Sequence, residues 1–136
     1  AINDNPKKLI PIVIKKALKN EDLHINNINL NFDYIHISDL SDGIEKSILF
    51  LNKKIKKYYN YVTLCSGKPI KIKKIFDLII EKTNSKSRIV INDFSEKVKN
   101  NFPSTKKSLD LLGFKTKINF DIGLDQLIDS YKKIKN

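Results

Sequence analysis

Cysteine, histidine and glycine are scarce in this chain of 136 residues. Cys65 is the only cysteine, which excludes an internal disulfide and is typical of a reducing, cytoplasmic compartment. The four glycines lie far apart, so a glycine-rich phosphate loop is excluded. The two histidines and the cysteine lack the spacing of metal ligands, and we predict no bound metal. No apolar run approaches the ~20 residues of a membrane span and no signal peptide is recognisable, so we expect no membrane contact.

The composition is that of a globular chain, with 40% hydrophobic and 30% charged residues. The net charge is +11, and Arg88 is the only arginine among 26 basic residues. A charge of this sign and size is compatible with a basic module that binds nucleic acid or another polyanion. Nucleic-acid sites favour arginine and stacking aromatics, however, whereas the lysines here are spread over every predicted helix. Polyanion binding is therefore kept as the alternative function.

Hydrophobic periodicity predicts a mixed α and β fold in the order helix, strand, helix, strand, helix, strand, helix, helix. Strands are predicted at residues 34–37, 61–65 and 88–91. Asp4 or Asn5 would cap the first helix. Gly113 would end the fourth helix, and Asn119 would start the fifth.

The second predicted helix carries aliphatic residues at a spacing that predicts one buried stripe: Leu40, Ile44, Ile48 and Leu51. Ser38 or Asp39 would cap this helix. Gly43 lies inside it, where glycine costs about 1 kcal/mol relative to alanine. We therefore expect close packing of a neighbour against Gly43.

The local chemistry alone identifies no catalytic site. Asp33 and Asp39 flank a predicted strand and could form an acid–base pair. The better interpretation is that Asp39, at a helix start, satisfies free backbone N–H groups and the helix dipole. Cys65 and His36 could form a nucleophile and base, but both fall in apolar predicted strands, which favours packing.

Four sequence blocks, taken in order, carry more information than any single residue. Residues 3–18 read NDNPKKLIPIVIKKAL, and residues 32–48 read FDYIHISDLSDGIEKSI. Residues 59–79 read YNYVTLCSGKPIKIKKIFDLI, and residues 104–133 read STKKSLDLLGFKTKINFDIGLDQLIDSYKK. These blocks resemble a "LIP" helix, then RDYIHVxDLxxAI, xNIGSGKPxSIxEL and DxSKxxxLLGWxPKxSLEEGLxxTIxWYK. Together they are similar to the C-terminal part of the extended short-chain dehydrogenase/reductases, the NAD(P)-dependent epimerases and dehydratases of sugar nucleotides.

This resemblance implies that residues 1–136 form a single unit, the substrate-binding part of a longer enzyme whose Rossmann cofactor half is missing here. The parent would use NAD or NADP to epimerise, dehydrate or reduce a nucleotide sugar, in surface-polysaccharide biosynthesis. The family's Tyr-x-x-x-Lys catalytic pair has no counterpart, since Tyr131 and Lys135 share only its spacing. We therefore expect this chain to carry no catalytic residue, bind no nicotinamide cofactor and be inactive alone. Separated from its other half, it should expose an apolar surface and could form a homo-oligomer.

The resemblance also implies which residues face the nucleotide sugar: Leu9, Pro11, Phe32, Tyr34, Lys97 and Lys99. Phe32 stands where many relatives carry an arginine that holds the diphosphate. The loop of Lys97 and Lys99 likewise lacks the arginine that many relatives place there, and Ser104 replaces an aspartate. Lysines would then hold phosphate as point charges, and Phe32 would either stack on a base or sugar or form an apolar contact. These departures also suit a degenerate, purely structural relative.

Overall fold

The computed structural model describes residues 5, 7–53, 60–92 and 100–134, which form two compact units. The first unit comprises the described residues within Ala1–Phe32, Ile70–Asn100 and Asp121–Asn136, and the second comprises those within Asp33–Pro69 and Asn101–Phe120. The helices are α1 (Leu9–Ala17), α2 (Ile37–Asn52), α3 (Ile72–Thr83), α4 (Lys106–Leu112) and α5 (Phe120–Ile134). The strands are β1 (Leu23–Ile25), β2 (Asn31–Phe32), β3 (Ile70–Lys71) and β4 (Ile89–Ile91). The predicted mixed α and β class is confirmed.

The first unit contains two short two-stranded sheets. β1 pairs in parallel with β4, in a register that places Leu23 opposite Ile89 and Ile25 opposite Ile91. β2 pairs antiparallel with β3, with Phe32 opposite Ile70. The strand predicted at residues 88–91 is confirmed by β4.

Apolar side chains from three helices and a strand form the core of the first unit. The buried residues are Val13, Ile14, Ala17, Leu23, Ile25, Ile72, Ile75, Phe76, Ile79, Leu124 and Ile128. In α3 and α5 they recur at three- and four-residue steps, the spacing of one helix face. Each of these two helices therefore buries one side: Ile72, Ile75, Phe76 and Ile79 of α3, and Leu124 and Ile128 of α5.

The second unit contains α2, α4 and the extended residues 60–69. Gly113 ends α4 in the left-handed conformation at φ 60°, as predicted. A Cβ built on Gly43 of α2 would lie 2.8 Å from Leu64 Cδ1 and 3.0 Å from Phe114 Cε2. The predicted close packing at Gly43 is therefore confirmed, and both neighbours are side chains of the same unit.

Two predicted strands are wrong, and so are two predicted caps. Residues 34–36 and 61–65 are not in strands, and β2 ends at Phe32. The His36 ring, and not Ser38 or Asp39, caps α2 by accepting the Ser38 N–H at Nδ1. The first helix begins at Leu9, with the Asn5 side chain accepting the Lys7 N–H ahead of it.

The stripe predicted to be buried on α2 is also wrong. Ile44, Ile48 and Leu51 have half of their surface exposed, at 50%, 54% and 52%. The buried residues of α2 are instead Asp39 and Gly43, on the face that packs against the rest of the second unit. None of the helices in the described part of the chain has the length and apolar character of a membrane-spanning helix.

Candidate functional site

The residues predicted to face a nucleotide sugar fall in both units. Leu9 and Pro11 lie in the first turn of α1, where the missing N–H of proline costs no hydrogen bond, and Pro11 is buried. Phe32 is half-buried in β2, also in the first unit. Tyr34 belongs to the second unit. Lys97 and Lys99 lie outside the described residues, so their role stays a prediction.

Both flanks of the segment that contains Lys97 and Lys99 are anchored in the first unit. At one flank, the Asn92 N–H donates to the Ile25 carbonyl at the end of the β1–β4 pair, over 2.8 Å. At the other, Asn100 Oδ1 accepts the Asn31 N–H over 3.1 Å, and Asn100 Nδ2 donates to the Asn29 carbonyl over 2.9 Å. Asn31 is the residue before Phe32 in β2. The structure therefore places Asn100 next to Asn31, the neighbour of Phe32, and sequence patterns did not indicate this.

A carboxylate fixes the backbone between Phe32 and Tyr34. Both oxygens of Asp33 accept backbone N–H groups, from Ser66 over 2.9 Å and from Gly67 over 2.9 Å. Gly67 has φ +69°, so this turn uses a conformation that other residues seldom adopt. The Asp33 side chain thus holds two parts of the second unit in place, residue 33 and the turn at 66–67.

Asp39 makes a second contact of the same kind. Its side chain is buried at 3% exposure, and its two oxygens accept the N–H groups of Lys117 over 3.1 Å and Ile118 over 3.0 Å. Its position at a helix start predicted that it would accept the N–H groups of its own helix. It accepts those of Lys117 and Ile118 instead. Because both carboxylates are occupied by distant backbone donors, the structure favours a structural role for Asp33 and Asp39 over acid–base catalysis.

Tyr34 combines an aromatic contact with a weakly acidic hydroxyl. Its ring centroid lies 5.4 Å from that of Phe120, which also belongs to the second unit. Burial raises the pKa of Tyr34 to about 12. The hydroxyl is therefore neutral near pH 7, where it can form hydrogen bonds but cannot serve as an anionic base.

The single arginine is already engaged in an ion pair. Arg88 binds the Asp22 carboxylate through two nitrogens, Nε over 3.3 Å and Nη2 over 2.8 Å. This hydrogen bond lowers the pKa of Asp22. The pair joins the residues that precede β1 and β4. Positive charge for a phosphate group would therefore have to come from lysines.

Cys65 and His36 show the features of packing and capping residues. The Cys65 side chain is buried, its Sγ lies 3.6 Å from the Pro103 carbonyl, and burial raises its pKa, with a further contribution from Asp33. A raised pKa disfavours the nucleophilic thiolate. His36 caps α2 through Nδ1. Across the described ranges, no three His, Cys, Asp or Glu side chains are grouped so that they could hold a metal ion.

Known proteins that resemble this chain include a curated synthase, by sequence, and solved enzymes, by fold. The chain is 33% identical over 86 residues to CDP-abequose synthase of Salmonella muenchen, a match that covers 63% of this chain and 28% of the synthase. UDP-glucose 4-epimerase of Thermotoga maritima, solved with UDP-glucose, has a TM-score of 0.80 at 19% identity, over 97% of this chain and 42% of the epimerase. The Bordetella bronchiseptica enzyme WbmF, solved with NADH, has a TM-score of 0.73 at 24% identity, over 93% of this chain and 37% of WbmF.

This chain has the fold of the C-terminal part of a Rossmann-type sugar-nucleotide epimerase/dehydratase. The resemblance predicted from the four sequence blocks is confirmed. No family model matches the chain. The chain spans less than half the length of these relatives, 28% of the synthase and 37–42% of the two solved enzymes.

Proposed function

We propose that this chain is the substrate-binding portion of a longer cytoplasmic enzyme, which uses NAD or NADP to epimerise, dehydrate or reduce a nucleotide-linked sugar. The observation that carries this proposal is the match of nearly the whole chain to the sugar-nucleotide epimerase fold. The 33% identity to CDP-abequose synthase supports a sugar nucleotide as the substrate class. Surface-polysaccharide synthesis would consume the modified sugar.

In the first unit, the proposed contacts with the nucleotide sugar are Leu9 and Pro11 of α1 and Phe32 of β2. Lys97 and Lys99, which lie outside the described residues, are further proposed contacts. Phe32 would offer an aromatic face to a base or sugar ring. The two lysines would place positive charge near the diphosphate, as compact, strongly hydrated ammonium groups that do not need the fixed geometry of an arginine. The anchors at Asn92 and Asn100 support this, because they hold both flanks of that segment in the same unit.

In the second unit, the proposed contact is Tyr34. Its neutral hydroxyl would donate to or accept from a sugar hydroxyl or a base edge. Asp33, whose carboxylate is occupied by the Ser66 and Gly67 N–H groups, would position Tyr34 without contacting the substrate itself. No residue of this chain is proposed to be catalytic, and we expect the chain alone to be inactive.

A nicotinamide cofactor does not fit the residues of this chain. A dinucleotide site needs closely spaced glycines at a strand–helix turn, so that the backbone can approach the pyrophosphate. Gly43 and Gly123 lie inside helices, whereas Gly67 and Gly113 form isolated turns. In the proposed enzyme, the cofactor would therefore be held by the part of the relatives that this chain does not span.

The proposal predicts that the lysine segment determines affinity for a nucleotide sugar. We expect Lys97→Ala with Lys99→Ala to weaken binding of UDP-glucose or CDP-glucose about tenfold, which corresponds to about 1.4 kcal/mol. The measurement is isothermal titration of the longer enzyme. The matched control, Lys74→Ala with Lys133→Ala, removes the same charge from exposed positions of α3 and α5 and should leave affinity unchanged.

Two outcomes would contradict the proposal. The first is turnover of either sugar nucleotide by the 136-residue chain alone, since the proposed catalytic groups lie elsewhere. The second is tight, salt-dependent binding of duplex DNA or heparin together with no binding of nucleotide sugars. That result would favour the polyanion-binding alternative suggested by the net charge of +11.

A further inference from the structure

We propose that His36 is a pH-sensitive cap, whose neutral ring holds both the start of α2 and the backbone that carries Tyr34, and whose protonation releases them. The inference goes beyond the proposed function and does not depend on it, because it concerns only contacts within the second unit. It starts from the side chain that caps α2. This side chain is a histidine, and not one of the serine, threonine, aspartate or asparagine residues that usually cap helices.

His36 contributes two hydrogen-bond acceptors to the first turn of α2. Its carbonyl accepts the Leu40 N–H over 3.0 Å, and its ring accepts the Ser38 N–H at Nδ1 over 3.2 Å. The backbone of His36 is extended, as in an ordinary N-cap residue. The ring therefore satisfies an N–H group that has no acceptor within the helix itself.

The neutral ring of His36 can make this hydrogen bond, and the protonated ring cannot. Nδ1 accepts a hydrogen bond while the ring proton lies on Nε2, but both nitrogens of an imidazolium are donors. A flip of the protonated ring would not restore the cap, because it would present another N–H group to Ser38. The imidazolium would also place positive charge at the positive end of the helix dipole. Protonation therefore removes an attraction and adds a repulsion at the start of α2.

The carboxylates near the start of α2 already have donors. Asp33, on the segment before the helix, and Asp39, on the helix itself, each accept two backbone N–H groups. Asp42 is paired with two lysines, Lys46 of α2 over 2.7 Å and Lys117 of the segment that packs against α2 over 3.2 Å. A protonated ring would have to compete with these contacts for a carboxylate. The second unit is therefore built around the neutral ring.

The backbone of Tyr34 lies between two side-chain anchors. On one side, Asp33 accepts the Ser66 and Gly67 N–H groups, each over 2.9 Å, and on the other, His36 binds the first turn of α2. His36 is half-buried, so its ring can exchange protons with solvent. Histidine ordinarily changes charge between about pH 5 and about pH 8, whereas aspartate does so in more acidic solution. Mild acid would therefore release the His36 anchor and leave the Asp33 anchor in place.

NMR of the 136-residue chain between about pH 8 and about pH 5 tests the proposal. At the higher pH, the ring nitrogen shifts of His36 should show an unprotonated Nδ1. As the pH falls, hydrogen-exchange protection of the Ser38 amide should fall at least about fivefold, because its cap bond is lost. The ring signals of Tyr34 should shift with the midpoint of the His36 titration. A protonated Nδ1 at the higher pH, or a Ser38 amide that stays protected once the ring is protonated, would overturn the proposal.

His36→Asn separates the cap from its titration. Asparagine is a preferred cap and has no titratable group, so this variant should keep the Ser38 amide protected at both ends of the pH range. His36→Ala should leave that amide unprotected at both ends. The matched control is His24→Asn, in β1 of the first unit, which should leave the pH dependence of Ser38 unchanged. If His36→Asn loses protection in acid as the unmodified chain does, a group other than His36 is responsible and the proposal is wrong.

The outcomes separate this inference from the proposed function. The NMR measurements need no nucleotide sugar, so a longer enzyme without NAD- or NADP-dependent turnover would contradict the proposed function and leave the cap standing. In the longer enzyme, acid should weaken UDP-glucose binding less in His36→Asn than in the unmodified protein, because Tyr34 stays in place. If acid weakens binding equally in both while Ser38 responds as expected, the cap stands and the proposed contact of Tyr34 with the substrate is wrong.

Discussion

The first unit of this chain has a core of many buried apolar side chains, whereas the second buries few apolar side chains and relies also on carboxylates and a glycine. In the first unit, α1, α3, α5 and β1 contribute eleven buried apolar residues. In the second, Asp33 and Asp39 each bind two backbone N–H groups from distant residues, and Gly43 admits two neighbouring side chains. A unit of the first kind can bury its own apolar surface. In the second unit, Ile44, Ile48 and Leu51 of α2 stay half-exposed.

The largest expected effect is a cavity in the first unit. Phe76 of α3 is 1% exposed, and Phe76→Ala should lower the free energy of unfolding by about 3–5 kcal/mol, because it loses apolar burial and leaves a void. Urea unfolding followed by circular dichroism measures this. Ile12→Ala, at a residue that is 38% exposed, is the control and should change stability by less than about 1 kcal/mol. Similar losses for both variants would show that the first unit lacks a tightly packed core.

The next effect belongs to the second unit. Asp39→Ala removes the acceptor of the Lys117 and Ile118 N–H groups, and we expect a loss of about 1.5–3 kcal/mol, the range for hydrogen bonds to a charged group. Hydrogen exchange of those two amides should accelerate more than exchange in α3. Asp110→Ala on the exposed side of α4 is the control. A loss below that of the control would mean that the carboxylate contacts do not stabilise the second unit.

Gly43→Ala should produce a smaller loss of about 1–2 kcal/mol. The added Cβ would lie within 3.0 Å of Leu64 and Phe114 and would force them apart, which outweighs the helix propensity gained, about 1 kcal/mol. Thermal melting measures the change, with Ser41→Ala on the exposed side of α2 as the control. Leu64 makes the closest contact with the added Cβ. Gly43→Ala should therefore cost less stability in a chain that already carries Leu64→Ala than in the unmodified chain. A gain in stability on Gly43→Ala would show that these neighbours move aside at little cost.

The difference between the units also explains which features the sequence could predict. α3 and α5 were predictable because their core residues repeat with the helical period, and Gly113 because a turn of positive φ favours glycine. α2 has an equally regular stripe, but periodicity does not reveal which side of a helix is covered. The inner side of α2 is specified by Asp39, whose donors lie 78 and 79 residues away. Contacts of that kind leave no local pattern.

The residues of the candidate site likewise include some that the sequence could predict and some that it could not. Phe32 and Tyr34 were found through a family motif, and the structure places Asp33 between them as a backbone acceptor. The anchoring of Asn100 beside Asn31 was not predictable, because a single asparagine amide 69 residues from its partner resembles any polar loop residue. Leu9, Pro11, Phe32 and Tyr34 remain predictions as substrate contacts, as do Lys97 and Lys99.

The smallest expected effect concerns a polar link in the first unit. The hydrogen bond from Arg88 lowers the pKa of Asp22 below its ordinary value of 3.8. The folded state therefore favours the charged carboxylate, and the resulting stability is present above pH 3.8 and is lost as the pH falls through the lower pKa of the folded state. Because the pair is exposed and screened, Asp22→Asn should lower the melting temperature only slightly at pH 7.

Asp42→Asn in the second unit is the matched variant, since Lys46 and then Lys117 lower the pKa of Asp42. Melting curves of both variants should converge with the unmodified chain as the pH falls below 3.8. If Asp22→Asn instead destabilises the chain at pH 7 as much as Asp39→Ala does, polar contacts matter equally in both units and the contrast between them is wrong.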